Sequence, residues 1–165
     1  MKAVYTCLWF DNNAHEAVAL YQRVLGEKVT VETVVQTPES APGETGHPLV
    51  VPFSIDGQKF VGLNGGPQFP FTECVSIQMH CDDQQEVDRY WEGLLDGGGE
   101  ESQCGWLKDR FGLSWQIVPA RLIELMSSND PALIERVTQA YMPMRKLDLA
   151  TIEAAAAASQ TLPSR

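Results

Sequence analysis

Between Val75 and Cys81 the chain alternates strictly. Val75, Ile77, Met79 and Cys81 are apolar, and Ser76, Gln78 and His80 between them are polar. A period of two is that of a strand with one packed face, because successive side chains point to opposite sides. The period then changes. Across CDDQQEVDRYWEGLL the apolar residues Val87, Tyr90, Trp91, Leu94 and Leu95 recur at the three-and-four spacing of a helix with one buried stripe. Asp82 or Asp83 can accept bonds from the open N–H groups of its first turn, and Gly97 marks its end. The same succession occurs earlier in AVYTCLWFDNNAHEAVALYQRVL: a strand, Asn12 or Asn13 as cap, then Ala17, Val18, Tyr21, Val24 and Leu25 on one helical face, then Gly26.

Strand-like runs follow each helix. KVTVETVVQ, PLVVPFSI and QKFVGLN follow the first, with IDGQ as a hairpin turn; EESQ, GWLKD and LSWQIVP follow the second, with DRFG as the matching turn. The chain thus predicts an internal repeat of two βαβββ modules, residues 1–66 and 73–119, of mixed α+β class. TPESAPGETGHP interrupts the first module as a Pro/Gly-rich loop able to cover a site. Beyond Pro119 the period is helical: Asn129 or Asp130 with Pro131 opens a helix carrying Leu133, Ile134, Val137 and Tyr141, and a last helix runs over roughly 148–158. Residues 120–158 therefore read as a helical extension, with 159–165 as a flexible tail.

The alternation also sorts faces. In the last strand Leu113, Trp115 and Ile117 are expected to pack on a helix, leaving Ser114 and Gln116 opposite; in QKFVGLN, Val61 and Leu63 are expected to pack, leaving Phe60, Gly62 and Asn64. The repeat sets Tyr5, Cys7 and Trp9 where Ser76, Gln78 and His80 stand. A curved sheet of these strands would gather Tyr5, Gly62, Ser76 and Gln116 on its concave side.

Composition narrows the partners. A chain of 165 residues is one domain by size and buries about 70% of its unfolded surface. The formal net charge of −10, with no Lys/Arg cluster, disfavours nucleic acid. No apolar run reaches the ~18 residues of a membrane span, and the N-terminus has no signal-peptide pattern, so a cytoplasmic protein with no membrane partner is expected. Cys7, Cys74, Cys81 and Cys104 form no CxxC pair and sit in apolar segments, which reads as reduced thiols, mostly in the core.

WFDNNAHEAVALYQRVLG, LNGGPQF, CDDQQEVDRYWEGL, CGWLKDRFGLSWQIVP and the tail through KLDLATIEAA resemble the PhnB-like branch of the vicinal oxygen chelate superfamily, which includes glyoxalases, bleomycin-resistance proteins and extradiol dioxygenases. The resemblance spans roughly residues 1–157. Members of the branch are often labelled demethylubiquinone methyltransferase. It implies a glyoxalase-like domain over 1–119 and a homodimer. By position, the superfamily's metal ligands on the first, fourth, fifth and last strands become Tyr5, Gly62, Ser76 and Gln116. A phenol, a glycine, a hydroxyl and a neutral amide fall short of the about three strong donors that a divalent ion needs. The expectation is therefore no metal and no other cofactor.

Two classes of function remain. One is a binding protein that holds a small-molecule ligand in a pocket formed by Cys7, Trp9, Gly62, Asn64, Ser76, Gln78, Cys104, Trp106, Lys108 and Gln116, with Phe60, Phe69 and Phe71 as further aromatic walls. The other is an enzyme on a small oxygenated or aromatic substrate, lyase- or dioxygenase-like, with His80 or Tyr5 as acid–base group. Cys104 beside Lys108 is either a reactive thiol or structural. Methyl transfer, as the label suggests, would need a Gly-rich turn leading from a strand into a helix, and neither LNGGPQ nor DGGGEE has that setting.

Overall fold

The computed structural model describes residues 4–40 and 43–158, so the tail expected at 159–165 lies outside the described residues. The elements run β1 (Thr6–Phe10), α1 (Ala14–Leu25), β2 (Val29–Val31), β3 (Val35–Gln36), β4 (Pro48–Ile55), β5 (Gln58–Asn64), β6 (Ser76–Cys81), α2 (Gln84–Leu95), β7 (Glu100–Glu101), β8 (Trp106–Lys108), β9 (Ser114–Pro119), α3 (Ala120–Met126), α4 (Pro131–Tyr141) and α5 (Leu149–Ala157). This is the α+β repeat that the periods predict. The chain divides into two compact units, Met1–Val75 with Arg110–Leu113, and Ser76–Asp109 with Ser114–Arg165.

In the first unit the sheet order is β1-β5-β4-β2, with β3 also paired to β4. β1 and β5 are parallel, which places Leu8 beside Gly62 and Phe10 beside Asn64. β4 and β5 form a hairpin in which Asp56 (φ 47°) and Gly57 (φ 82°) are both left-handed, the type I′ geometry that matches strand twist. Leu8, Phe10, Val51, Phe53, Ile55 and Phe60 are buried on the face that carries α1, whose Ala14, Ala17, Val18, Tyr21 and Leu25 are buried with them.

The second unit repeats the plan with order β6-β9-β8-β7, and β6 is parallel to β9. Met79, Cys81, Leu107, Trp115 and Ile117 are buried, as are Val87, Tyr90, Trp91 and Leu94 of α2. Asp83 caps α2 by accepting from Glu86 N–H at 2.8 Å, and Glu86 reaches back to Asp82 N–H at 3.0 Å. The extension belongs to this unit. Its core joins Leu122, Leu125, Val137, Leu147 and Ile152 to Val118 of β9. Asp130 caps α4 and Asp148 caps α5. No helix among the described residues is long and apolar enough to cross a membrane.

Candidate functional site

The open face of the first sheet differs from the sequence expectation at one strand. Phe60, Gly62 and Asn64 of β5 point toward α1, not away from it, while Val61 and Leu63 are only partly covered on the other side. The cause is close packing. A side chain at Gly62 would start 3.1 Å from the Ala14 Cβ, closer than ordinary packing, so this crossing of helix and strand favours a residue without one. Asn64, 8% exposed, accepts from Ala14 N–H at 2.8 Å and donates to the Pro48 carbonyl at 2.7 Å. It supplies the cap of α1 that Asn12 and Asn13 were expected to give; Asn13 makes no side-chain cap bond. Gly62 therefore offers no atom to the open face, and Asn64 is committed to the scaffold. Phe60 stacks on Phe53 at 5.2 Å in the core and forms no pocket wall.

That open face carries Tyr5, Cys7 and Trp9 beside Lys59, Val61 and Leu63, by the register of β1 and β5. The Tyr5 hydroxyl accepts from Lys59 Nζ at 3.1 Å, and Glu32 Oε1 lies 3.4 Å from the same ammonium. Tyr5 first, then Glu32, holds the Lys59 pKa above its ordinary value. Cys7 and Cys74 are exposed, and of the four thiols only Cys81 is buried, so the expectation of core cysteines holds for one of them. Trp9 donates from Nε1 to the Gly66 carbonyl at 2.8 Å and meets Phe69 edge-on at 5.0 Å. Gly65 lies flat against its ring: a Cβ there would fall 2.1 Å from the indole. The LNGGP run is thus the seat of Trp9. Beyond it lies a cavity of about 580 Å³, lined by Trp9, Asn12, His15, His47, Leu49 and Leu63 among others. Both histidines are exposed, as their places in the first turn of α1 and in the Pro/Gly-rich loop imply, and the turn that gathers them at one cavity is not visible in the pattern.

The open face of the second sheet carries a continuous polar ladder. Gln116 donates through Nε2 to Ser76 Oγ at 2.8 Å and accepts at Oε1 from Gln78 Nε2 at 3.1 Å. Gln78 Oε1 lies 3.1 Å from His80 Nε2. A carboxamide oxygen only accepts, so this contact puts the imidazole proton on Nε2 and leaves Nδ1 as the basic atom of the neutral ring. Trp106 faces Gln116 across β8 and β9, and Lys108 faces Ser114. Cys104 and Gly105, at φ 56° and 82°, form the turn before β8; their N–H groups donate to the carbonyls of Met144 and Arg145 in the extension. Cys104 Sγ contacts the Met142 carbonyl at 3.3 Å. Ser114 is 1% exposed and its Oγ has no partner among the described residues.

These donors do not fit a divalent ion. In the second unit both polar atoms of the Gln116 amide are spent on neighbours. In the first, the Tyr5 oxygen faces an ammonium, Gly62 is turned to the helix, and the adjoining open positions, Val61 and Leu63, are hydrocarbon. Among the described residues no group of three or more His, Cys, Asp or Glu is placed to hold a metal. The glycine runs also lack a cofactor setting: Gly65–Gly66 follows β5 into a loop, and Gly97–Gly99 follows α2.

The family model described as 3-demethylubiquinone-9 3-methyltransferase matches residues 2–118. No curated protein matches the chain. Among solved structures, a PhnB protein of Bacillus cereus, titled as a candidate 3-demethylubiquinone-9 3-methyltransferase, is 26% identical with a TM-score of 0.64, covering 72% of this chain and 100% of its own. A protein of Pseudomonas aeruginosa is 22% identical with a TM-score of 0.59, covering 72% and 98%. The fosfomycin resistance protein FosX of Listeria monocytogenes, complexed with Mn(II) and sulfate, is 16% identical with a TM-score of 0.50, covering 76% and 94%. The last two likenesses are of fold.

Proposed function

The chain belongs to the family described as 3-demethylubiquinone-9 3-methyltransferase, the PhnB-like branch of the vicinal oxygen chelate superfamily, and on that premise we propose that it binds a small organic molecule on the open faces of its sheets without the superfamily's metal ion. The observation that carries this reading is the state of Gln116. The resemblance puts it at the position of a superfamily ligand, yet its oxygen accepts from Gln78 and its nitrogen donates to Ser76. A metal would have to break that ladder to gain one weak neutral donor, with no strong donor beside it. The homodimer and the cytoplasmic location implied above are part of the same proposal.

Thermal unfolding of metal-stripped protein with Zn²⁺, Ni²⁺, Mn²⁺, Fe²⁺ or Mg²⁺ tests it. An ion at ~100 times its dissociation constant would add ~2.7 kcal/mol, several degrees in the midpoint. We expect no saturable shift. A shift that disappears in Gln116→Ala would return chelate chemistry to this site.

A second reading has one observation behind it. His80 is exposed, with its Nε2 proton engaged by Gln78 and its Nδ1 left to take a proton, an arrangement suited to general-base catalysis on an oxygenated substrate. Tyr5 cannot share that role easily, because the ammonium at its hydroxyl makes it an acceptor in this structure. Turnover that fails in His80→Gln would favour the enzyme reading; methyl transfer draws no support from either glycine run.

A further inference from the structure

We propose that the cavity at the α1 end of the first sheet is a binding site for a flat, uncharged aromatic molecule bearing a hydroxyl or carbonyl oxygen. The inference rests on the reading that the protein binds a small organic molecule, and adds where it binds and of which class it is. At about 580 Å³ the cavity lies within the range of small-molecule sites and has room for a substituted ring with more besides.

The class follows from what the lining has left to offer. Trp9 presents its ring and not its donor, because Nε1 is spent on Gly66 and the plane is fixed by Gly65 and Phe69. With Leu49 and Leu63 it makes an apolar wall suited to stacking. Most polar groups of the lining are already paired: Asn64 to Ala14 and Pro48, and Thr37 Oγ1 to the His47 carbonyl. What remains are the imidazole of His15, the His47 nitrogen that Glu44 does not engage, and the amide oxygen of Asn12, whose nitrogen donates to Asp11. Full charges have little to meet. No Lys or Arg lines the cavity, and its acid, Glu44, lies 3.2 Å from His47 Nε2. A chain of net charge −10 further repels an anion.

The test is a titration of ¹⁵N-labelled protein with methyl 4-hydroxybenzoate, set against 4-hydroxybenzoate and tyramine, which share the ring but carry a negative or a positive charge. The ester is expected to move the Trp9 indole N–H and the Gly65 and Gly66 amides saturably, with both charged probes at least ten-fold weaker. Leu49→Trp, which fills the cavity, should abolish the shifts. His47→Ala, at an exposed side chain, should weaken the ester about five-fold, the loss of one neutral hydrogen bond. Shifts absent at Trp9, Gly65 and Gly66, or equal affinity for the three probes, overturn the proposal. Shifts confined to Ser76, Gln78 and Gln116 would overturn it while leaving the binding reading intact.

Discussion

Ser114 sits in β9 with its side chain buried and its hydroxyl without a partner among the described residues, although the neighbouring Ser76 and Gln116 bond to each other. A buried hydroxyl that makes no hydrogen bond costs about 1–3 kcal/mol of desolvation with nothing returned. Ser114→Ala removes that oxygen and leaves a space smaller than a methyl group. It should therefore raise stability by about 1 kcal/mol, read as a higher urea midpoint at unchanged slope. A loss of similar size would show that the hydroxyl holds a fixed water or ligand oxygen. Asn64 makes the opposite case. It is equally out of place by polarity, but both ends of its amide are paired, and the pairs are what close α1 onto the sheet.

At the scale of elements, the two periods were enough to find both modules, the cap sites of α2 and α4 to within a residue, and α4 and α5 of the extension, since each rests on local pattern, whereas α3 was not set apart as a helix of its own. β5 was read on the wrong face because hydrophobicity alone favours Val61 and Leu63 over Gly62 and Asn64. Two non-local facts decide it: the closeness of Ala14 to Gly62, and the need of α1 for a cap from outside itself. The signal was present in the IDGQ turn. A two-residue hairpin sets Ile55 opposite Gln58 and hence Phe53 opposite Phe60, which puts Phe60 in the core. Polarity gives no such register for the cavity, whose lining comes from α1, the loop before β4 and the end of β5. The extension adds an electrostatic device: Lys146 lies 2.7 Å from Asp88 and 3.6 Å from Glu92 of α2. The hydrogen bond from Lys146, then that from Gln84, lowers the Asp88 pKa. A depressed folded-state value stabilises above the ordinary carboxylate pKa near 4 and is lost as pH falls through the folded value. Asp88→Asn should thus be less stable than the parent at pH 7, and the gap should narrow below about pH 4. A gap that is constant across that range would assign the effect to packing instead.

For the molecule as a whole, the tail through KLDLATIEAA was expected to share the resemblance, but the matched family model stops short of the extension. The family model ends at residue 118, and the Bacillus cereus protein is covered end to end by 72% of this chain. A fold of that length evidently needs no such addition, yet here the added helices are built into the second unit. The helices cover Val118, and the connection between α4 and α5 accepts the N–H groups of Cys104 and Gly105 at Met144 and Arg145 and, with the start of α5, takes both ends of the Gln84 amide at Leu147 and Leu149. Gly105, at φ 82°, is tight against β9 as well as the extension, since a side chain there would start 2.8 Å from the Ile117 carbonyl and 3.0 Å from Leu147. Truncation after Pro119 would leave two backbone donors without protein acceptors, at about 1 kcal/mol each, and expose Val118, at about 1.5–3 kcal/mol. The sum, with the loss of Lys146 beside Asp88, is a large part of the ~5–15 kcal/mol that holds a domain folded. The truncated chain should accordingly melt many degrees below the full one, with the turn at Cys104 the first to lose amide protection. A cooperative melt at the parent midpoint would mean instead that the extension is an appended body, and that the second unit, like its shorter relatives, is complete without it.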